Sequence, residues 1–419
     1  MIFYFFKKHL NKRLKARLIK HYNSLKNFVH ILKSRIFFFK GDLEKDLIIY
    51  DDCFPFLISG FRYEEFTELL KGFKNSEIIM NHGGCRITED YQKRVGDYKL
   101  KHHELKDKLV FNKGRVNINA KLFYCVFQGN IALNLSWLEL NSIPFVFTLY
   151  PGGGFQMGGP GENKILERVL SSPQFRRVIV TQSCTREYLL KNNLCSPEKI
   201  SYIFGCVVPQ ISLQKDLTQK KYYLDGKKTF DICFCAAKYM EKGIDKGYDV
   251  FIESAFILAN QFDFIRFHVI GGFNENEIDV TQLEDKIMFY GYQNFENLSG
   301  LYLNMDVIVS PNKPFVLGNG YFDGFPLGTV VEAVFNGMAA LVTDELDQNT
   351  EFVDKEEIII IKSSVNSVVD EIKILINSPE KLYSLSKKGR EKFIDVYSYA
   401  SQMKPRINLL QEEINRYQN

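Results

Sequence analysis

Paired metal-ligand cysteines, long apolar runs and N-terminal acids are what this chain lacks. Its eight cysteines form no C-x-x-C pair, and no histidine stands at zinc-ligand spacing from them, so no zinc site is legible. Cys125, Cys206, Cys233 and Cys235 lie in apolar strand-like runs, where free cysteine serves as a small core residue. A reducing cytosol fits that usage. No apolar run approaches the ~20 residues that span a bilayer. The opening MIFYFF is too short for a secretory core, and its basic residues follow the apolar ones instead of preceding them. The expected location is cytoplasmic, with any membrane contact peripheral, on the inner face.

Residues 1–40 hold eleven Lys or Arg and no acid, so the net charge of +4 conceals a body at −7 (4 minus 11). The basic character belongs to the arm and implies no nucleic-acid partner for the body. Within that arm, expected over 1–45, Leu14, Leu18, Tyr22, Leu25, Val29, Leu32 and Ile36 recur at steps of four and three, which draws one apolar stripe on a basic helix. Such a helix suits an anionic membrane surface, the protein's own body or a short coiled coil.

From Asp46 onward, apolar runs alternate with amphipathic helical stretches. Leu47–Tyr50, Glu77–Met80, Leu122–Phe127, Phe145–Tyr150, Val178–Thr181 and Ile200–Gly205 read as strands, with helices between several of them. Continuous apolar strands alternating with helices predict a parallel sheet covered on both faces. Residues 84–118 show no usable period. A polar linker over Pro209–Lys228 separates this unit, 46–213, from a second alternation over 214–397, and a helix from Pro405 to Tyr417 within 398–419 is expected to pack back on the first unit. The fold class is α/β: two Rossmann-like domains facing across a cleft, preceded by the basic helical arm.

The second unit centres on Asp306–Asp344. Two apolar strand runs there flank a glycine-rich loop and a helix from about Thr329 to Asn336, with Gly337 as its C-cap. A strand, a glycine-rich loop and a helix N-terminus in that order leave backbone N–H groups free for an anion such as a diphosphate. Glu332 falls in the first turn of that helix and Asp323 in the loop before Gly324-Phe325-Pro326-Leu327-Gly328. Carboxylates beside a phosphate are repulsive unless they face hydroxyls, which points to a sugar or ribose. A plain dipole-complementing glutamate and a turn-forming aspartate fit the same positions. Lys238 and Lys246 follow the first strand of this unit and are candidate diphosphate cations. On the first unit, Tyr150-Pro-Gly152-Gly153-Gly154 ends a strand and allows close backbone approach to a ligand or to the second domain.

Lys246-Gly247-Tyr-Asp249-Val-Phe-Ile252 and Asp323-Gly-Phe-Pro followed by Val331-Glu332-Ala333 resemble the donor domain of GT-B glycosyltransferases of retaining family 4, the group 1 transferases of bacterial surface-polysaccharide assembly. The resemblance covers about Phe230–Tyr397. It implies hexosyl transfer from a nucleoside diphosphate sugar to a lipid-linked or polysaccharide acceptor, as in lipopolysaccharide or capsule synthesis, with no bound metal or other cofactor. This sequence holds no Asp-x-Asp element to contradict that. The resemblance also implies that Glu332 holds the ribose, that Asp323 or its neighbours hold the donor sugar, and that Lys238 and Lys246 bind the diphosphate. Gly324–Thr329 and Val331 would line the donor site. Three features depart from the family: eight residues instead of seven separate the two acids, the first acid is Asp, and Tyr150 stands where many relatives have histidine. The family's glycine-rich loop near the amino end of the first sheet is also missing, with Ser59-Gly60-Phe-Arg62 the nearest substitute, which puts Gly60 and Arg62 on the acceptor side. Two other readings share the architecture: a nucleotide-sugar epimerase using His82 as base, and an inactive membrane-associated subunit.

Overall fold

The computed structural model describes residues 37–81, 91–111, 115–158, 160–213 and 216–416. The first domain is built on a sheet of seven strands, β1 (Phe37–Asp51), β2 (Ser76–Met80), β3 (Leu109–Phe111), β4 (Arg115–Val126), β5 (Phe145–Leu149), β6 (Phe175–Val180) and β7 (Ile200–Tyr202). Their order is β3-β2-β1-β4-β5-β6-β7, with every neighbouring pair parallel. Strands such as Phe145–Leu149, buried at every position, lie between two helical layers, which is why they read as unbroken apolar runs. One face is covered by α1 (Gly60–Gly72), α2 (Tyr91–Lys101) and α11 (Tyr399–Arg416) through Phe66, Leu69, Tyr98, Met403 and Leu410. The other is covered by α3 (Gln128–Leu140), α4 (Pro160–Leu170) and α5 (Ser183–Lys191) through Ile131, Leu135, Leu166 and Leu189.

A short two-stranded ribbon, β8 (Tyr222–Tyr223) with β9 (Gly226–Lys227), leads into the second domain. Its sheet holds β10 (Phe230–Ala236), β11 (Ile265–Gly271), β12 (Ile287–Phe289), β13 (Val307–Ser310), β14 (Ala339–Thr343) and β15 (Ile359–Ile361). The order is β12-β11-β10-β13-β14-β15, again all parallel. Helices α6 (Tyr248–Ala259) and α9 (Val365–Asn377) pack on one face. On the other lie α7 (Phe295–Tyr302), α8 (Gly328–Phe335) and α10 (Pro379–Val396). Both sheets reverse their strand order beside their first strand, which opens a crevice at the carboxyl ends there. The two-domain α/β expectation holds.

Several boundaries differ from the sequence reading. Residues 37–45, assigned to the helical arm, belong to β1, where Phe37–Lys40 pair with Arg115–Ile118; an aromatic run of strand formers took over directly after the helical stripe. The stripe itself lies outside the described residues. Within 84–118, where no period was usable, α2 buries only Tyr91, Arg94 and Tyr98, so its apolar face is too thin to register. The last helix starts at Tyr399 with Pro405 inside it. Cys53 is disulfide-bonded, which no spacing rule foresaw, whereas Cys125, Cys206, Cys233 and Cys235 are free thiols as expected. No helix among the described residues is long and apolar enough to cross a membrane.

Candidate active site

The loop after β13 and the start of α8 face the carboxyl ends of the first domain's strands. Leu327 caps α8 in an extended conformation, and its carbonyl takes the N–H groups of Val330 and Val331. The N–H groups of Gly328 and Thr329 have no partner among the described residues, as the first amides of a helix do. The Thr329 hydroxyl turns away, donating to the Cys235 carbonyl at 2.9 Å. Gly337, with φ of 80°, ends the helix in the left-handed region after Asn336.

Glu332 is the fifth residue of α8 and so lies in its second turn, not the first as the sequence reading placed it. It is only 8% exposed, and its carboxylate has no hydrogen-bond partner among the described residues. Burial pushes its pKa up to about 8. Its Oε1 lies 3.3 Å from where a Cβ on Gly60 would stand, at the start of α1. The carboxylate is therefore held at the seam between the domains, equipped to accept hydroxyl donors.

Lys246 is buried at 3% exposure, and its ammonium donates to both carboxylate oxygens of Asp323, at 2.5 and 2.6 Å. Burial works against that charge, but Asp323 outweighs it and the lysine pKa is raised above its usual value. The ammonium also lies 4.9 Å from the centre of the Tyr239 ring. Gly247 follows with φ of 69° and caps α6; a Cβ there would meet the Pro311 carbonyl at 2.0 Å, so only glycine lets this segment lie against the end of β13. Beside it Asp245 is buried, with neither carboxylate oxygen hydrogen-bonded, and burial raises its pKa.

The domains touch directly at this seam. The buried Gln182 side chain accepts from the Phe325 N–H at 3.2 Å and donates to the Phe325 carbonyl at 3.5 Å. Met157 N–H donates to the Gly320 carbonyl at 2.9 Å, and a Cβ on Gly320 would stand 2.1 Å from the Met157 carbonyl oxygen. Ser183 donates to the carbonyl of Asp347. Gln182 carries one signal in the sequence, a polar residue two positions after a buried strand end. The cavity beside Asp323, lined by Asn312, Phe322, Gly324, Thr343 and Gln348, holds only about 30 Å³.

Phe325, Pro326 and Val331 are buried in this loop and helix, whereas Gly324, Leu327, Gly328 and Thr329 are half-buried. Lys238 is not a free cation: it pairs with Glu277, which drew the expected diphosphate ligand into an ion pair. Tyr150 is 5% exposed and does not line an open acceptor loop. Its hydroxyl donates to Glu65 at 2.8 Å and accepts from Arg406 at 3.3 Å, because α11 packs over the strand end. Arg62 is likewise engaged, by Asp52 at 2.9 Å, Asp51 at 3.3 Å and the Ser59 hydroxyl at 2.9 Å. Gly152, Gly153 and Gly154 all take positive φ, and the Gly153 carbonyl accepts from Gly129 N–H at 2.9 Å, which folds the loop onto the start of α3. His82 lies outside the described residues.

Twin parallel sheets joined across such a seam are the GT-B glycosyltransferase architecture, and residues 236–392 match the family described as glycosyl transferases group 1. Among solved structures, the chain is similar to sucrose-phosphate synthase from Thermosynechococcus elongatus, at 13% identity and a TM-score of 0.57, over 89% of this chain and 98% of that one. A glycosyltransferase from Rickettsia africae aligns at 14% identity and a TM-score of 0.57 over 88% of this chain and 99% of that one. HepE from Anabaena, solved with UDP and glucose, aligns at 11% identity and a TM-score of 0.57 over 89% and 98%. At these identities the likeness is one of fold. No curated protein matches the chain.

Proposed function

We propose that this protein is a retaining glycosyltransferase that moves a sugar from a nucleoside diphosphate sugar to a hydroxyl of a lipid-linked or polysaccharide acceptor in bacterial surface-glycan synthesis. The observation that carries the reading is Glu332: a buried carboxylate without a partner among the described residues, on the helix whose first two amides are likewise unengaged there, inside the segment that matches the group 1 family. Glu332 accepts from the ribose hydroxyls, and the Gly328 and Thr329 N–H groups take the diphosphate. Lys246 exchanges Asp323 for the diphosphate, whereupon Asp323 is free for donor-sugar hydroxyls. The leaving diphosphate, stabilised by Lys246 and the helix amides, collects the acceptor proton on the same face, so neither a metal nor a separate general base is invoked. HepE's recorded complexes with UDP and with UDP-glucose support a nucleotide sugar as donor. The basic N-terminal stripe supports peripheral attachment to an anionic membrane.

Calorimetry against UDP-, GDP- and ADP-sugars tests the reading. One nucleotide class is expected to bind the native chain and to fail with Glu332→Ala. Absence of binding by all three classes would refute it.

A further inference from the structure

A second cavity, of about 460 Å³, lies far from the seam, with Arg176, Arg177, Glu198, Lys199, Glu413 and Arg416 beside Phe175 in its wall. Arg176 and Arg177 follow Phe175 at the start of β6 and Lys199 directly precedes β7, whereas Gln182 of the seam follows the carboxyl end of β6. A six-residue strand separates the two places by roughly 20 Å. Four cations face two carboxylates here, and one of those, Glu413, is buried beneath them. Its Oε1 accepts from Arg177 Nε at 2.8 Å and from Arg416 Nη1 at 2.9 Å. One carboxylate therefore fixes two guanidinium groups, and each keeps N–H donors that no acceptor among the described residues engages. Arg176 and Lys199 are exposed and have no acidic partner among the described residues. The Lys199 ammonium stands 5.2 Å from the Phe175 ring centre, beside the same cavity.

We propose that this cavity is a phosphate-binding site that takes a phosphomonoester or phosphodiester in the fork of Arg177 and Arg416, with Arg176 and Lys199 completing the charge. Planar guanidinium groups held by a buried acid are preorganised for the paired oxygens of a phosphate, and two cations remain uncompensated until one binds. The transfer chemistry uses none of these residues, so the assignment stands apart from it.

The full chain is titrated by calorimetry with inorganic phosphate and with glucose 1-phosphate at about 0.15 M salt, where loose surface attraction is screened. Flotation with phosphatidylcholine vesicles, with and without phosphatidylglycerol, reads a headgroup as the source of the phosphate. Two variants accompany it: R176E/K199E, which alters exposed side chains only, and Lys246→Ala, which silences the other place where phosphate would bind. A soluble phosphate is expected to bind Lys246→Ala as it binds the native chain, and at least about tenfold more weakly to R176E/K199E. Loss of vesicle flotation in R176E/K199E alone, without a soluble response, upholds the site with lipid as its source. The proposal falls if neither probe separates R176E/K199E from the native chain. UDP binding, followed in parallel, reports on the donor seam and is expected to be unchanged in R176E/K199E.

Discussion

The Lys246 ammonium lies 2.5 and 2.6 Å from the two carboxylate oxygens of Asp323, residues 77 positions apart that meet beside the seam between the domains. A diphosphate entering the seam competes with Asp323 for this cation. Asp323→Asn is therefore expected to tighten UDP binding a few-fold while lowering transfer, because the released lysine gains no help in placing the sugar. Lys246→Ala is expected to lower transfer by about a hundredfold or more. Calorimetry with UDP and steady-state rates separate the two variants; weaker UDP binding by Asp323→Asn would contradict the competition.

Burial keeps the Glu332 proton on in the folded chain to about pH 8, against 4.5 for an ordinary glutamate. Between those values the folded state binds more protons than the unfolded one, so stability falls as pH rises and levels off above about 8. Glu332→Gln removes this penalty, which is on the order of a few kcal/mol. Its melting temperature is expected to exceed that of the native chain at pH 8.5 and to match it near pH 4.5. Ribose hydroxyls favour the ionised carboxylate, so UDP affinity is expected to rise as pH increases through 8 in the native chain and to stay flat and weak in Glu332→Gln.

The buried Glu65 carboxylate, Tyr150 hydroxyl and Arg406 guanidinium form one chain of hydrogen bonds between α1, the end of β5 and α11. Arg406→Ala leaves a buried acid without its cation and is expected to cost about 3 kcal/mol or more in urea unfolding. Tyr150→Phe is expected to cost about 1–2 kcal/mol and to leave UDP binding intact. Loss of UDP binding by Tyr150→Phe at full stability would place Tyr150 in the ligand site instead of the packing.

Gln182 ties the first domain to both backbone groups of Phe325. Gln182→Ala is expected to slow transfer about tenfold through looser placement of the donor loop, with little change in unfolding free energy. A normal rate in that variant would show that the bridge plays no part in turnover.

β1 starts at Phe37, so a deletion that tests the basic arm ends at residue 36. Such a chain is expected to fold, to bind UDP normally and to lose flotation with anionic vesicles. Unchanged flotation would exclude the arm as the membrane contact.

What the sequence revealed and what it hid divide along a physical line. Runs such as Leu47–Tyr50 and Ala339–Thr343 announce buried parallel strands because both faces are covered, and Gly337 announces the end of α8 because its backbone needs a positive φ. The register of helix starts was harder: α8 begins one residue earlier than its apolar pattern, which moved Glu332 out of the first turn. Polar pairings were invisible. Lys238 with Glu277, Arg62 with Asp51 and Asp52, and Gln182 with Phe325 join positions that periodicity treats as unrelated. Free polar residues in the sequence become engaged ones once the fold sets charges within reach of each other.

Because α11 returns to the first sheet, where Met403, Leu410 and Ile414 join its core, the second domain that follows β7 is an insertion within its neighbour and not a bead on a string. Swapping that lobe between relatives therefore needs two junctions, one on either side, and a chimera ending before Tyr399 would strip the recipient of a wall of its own interior.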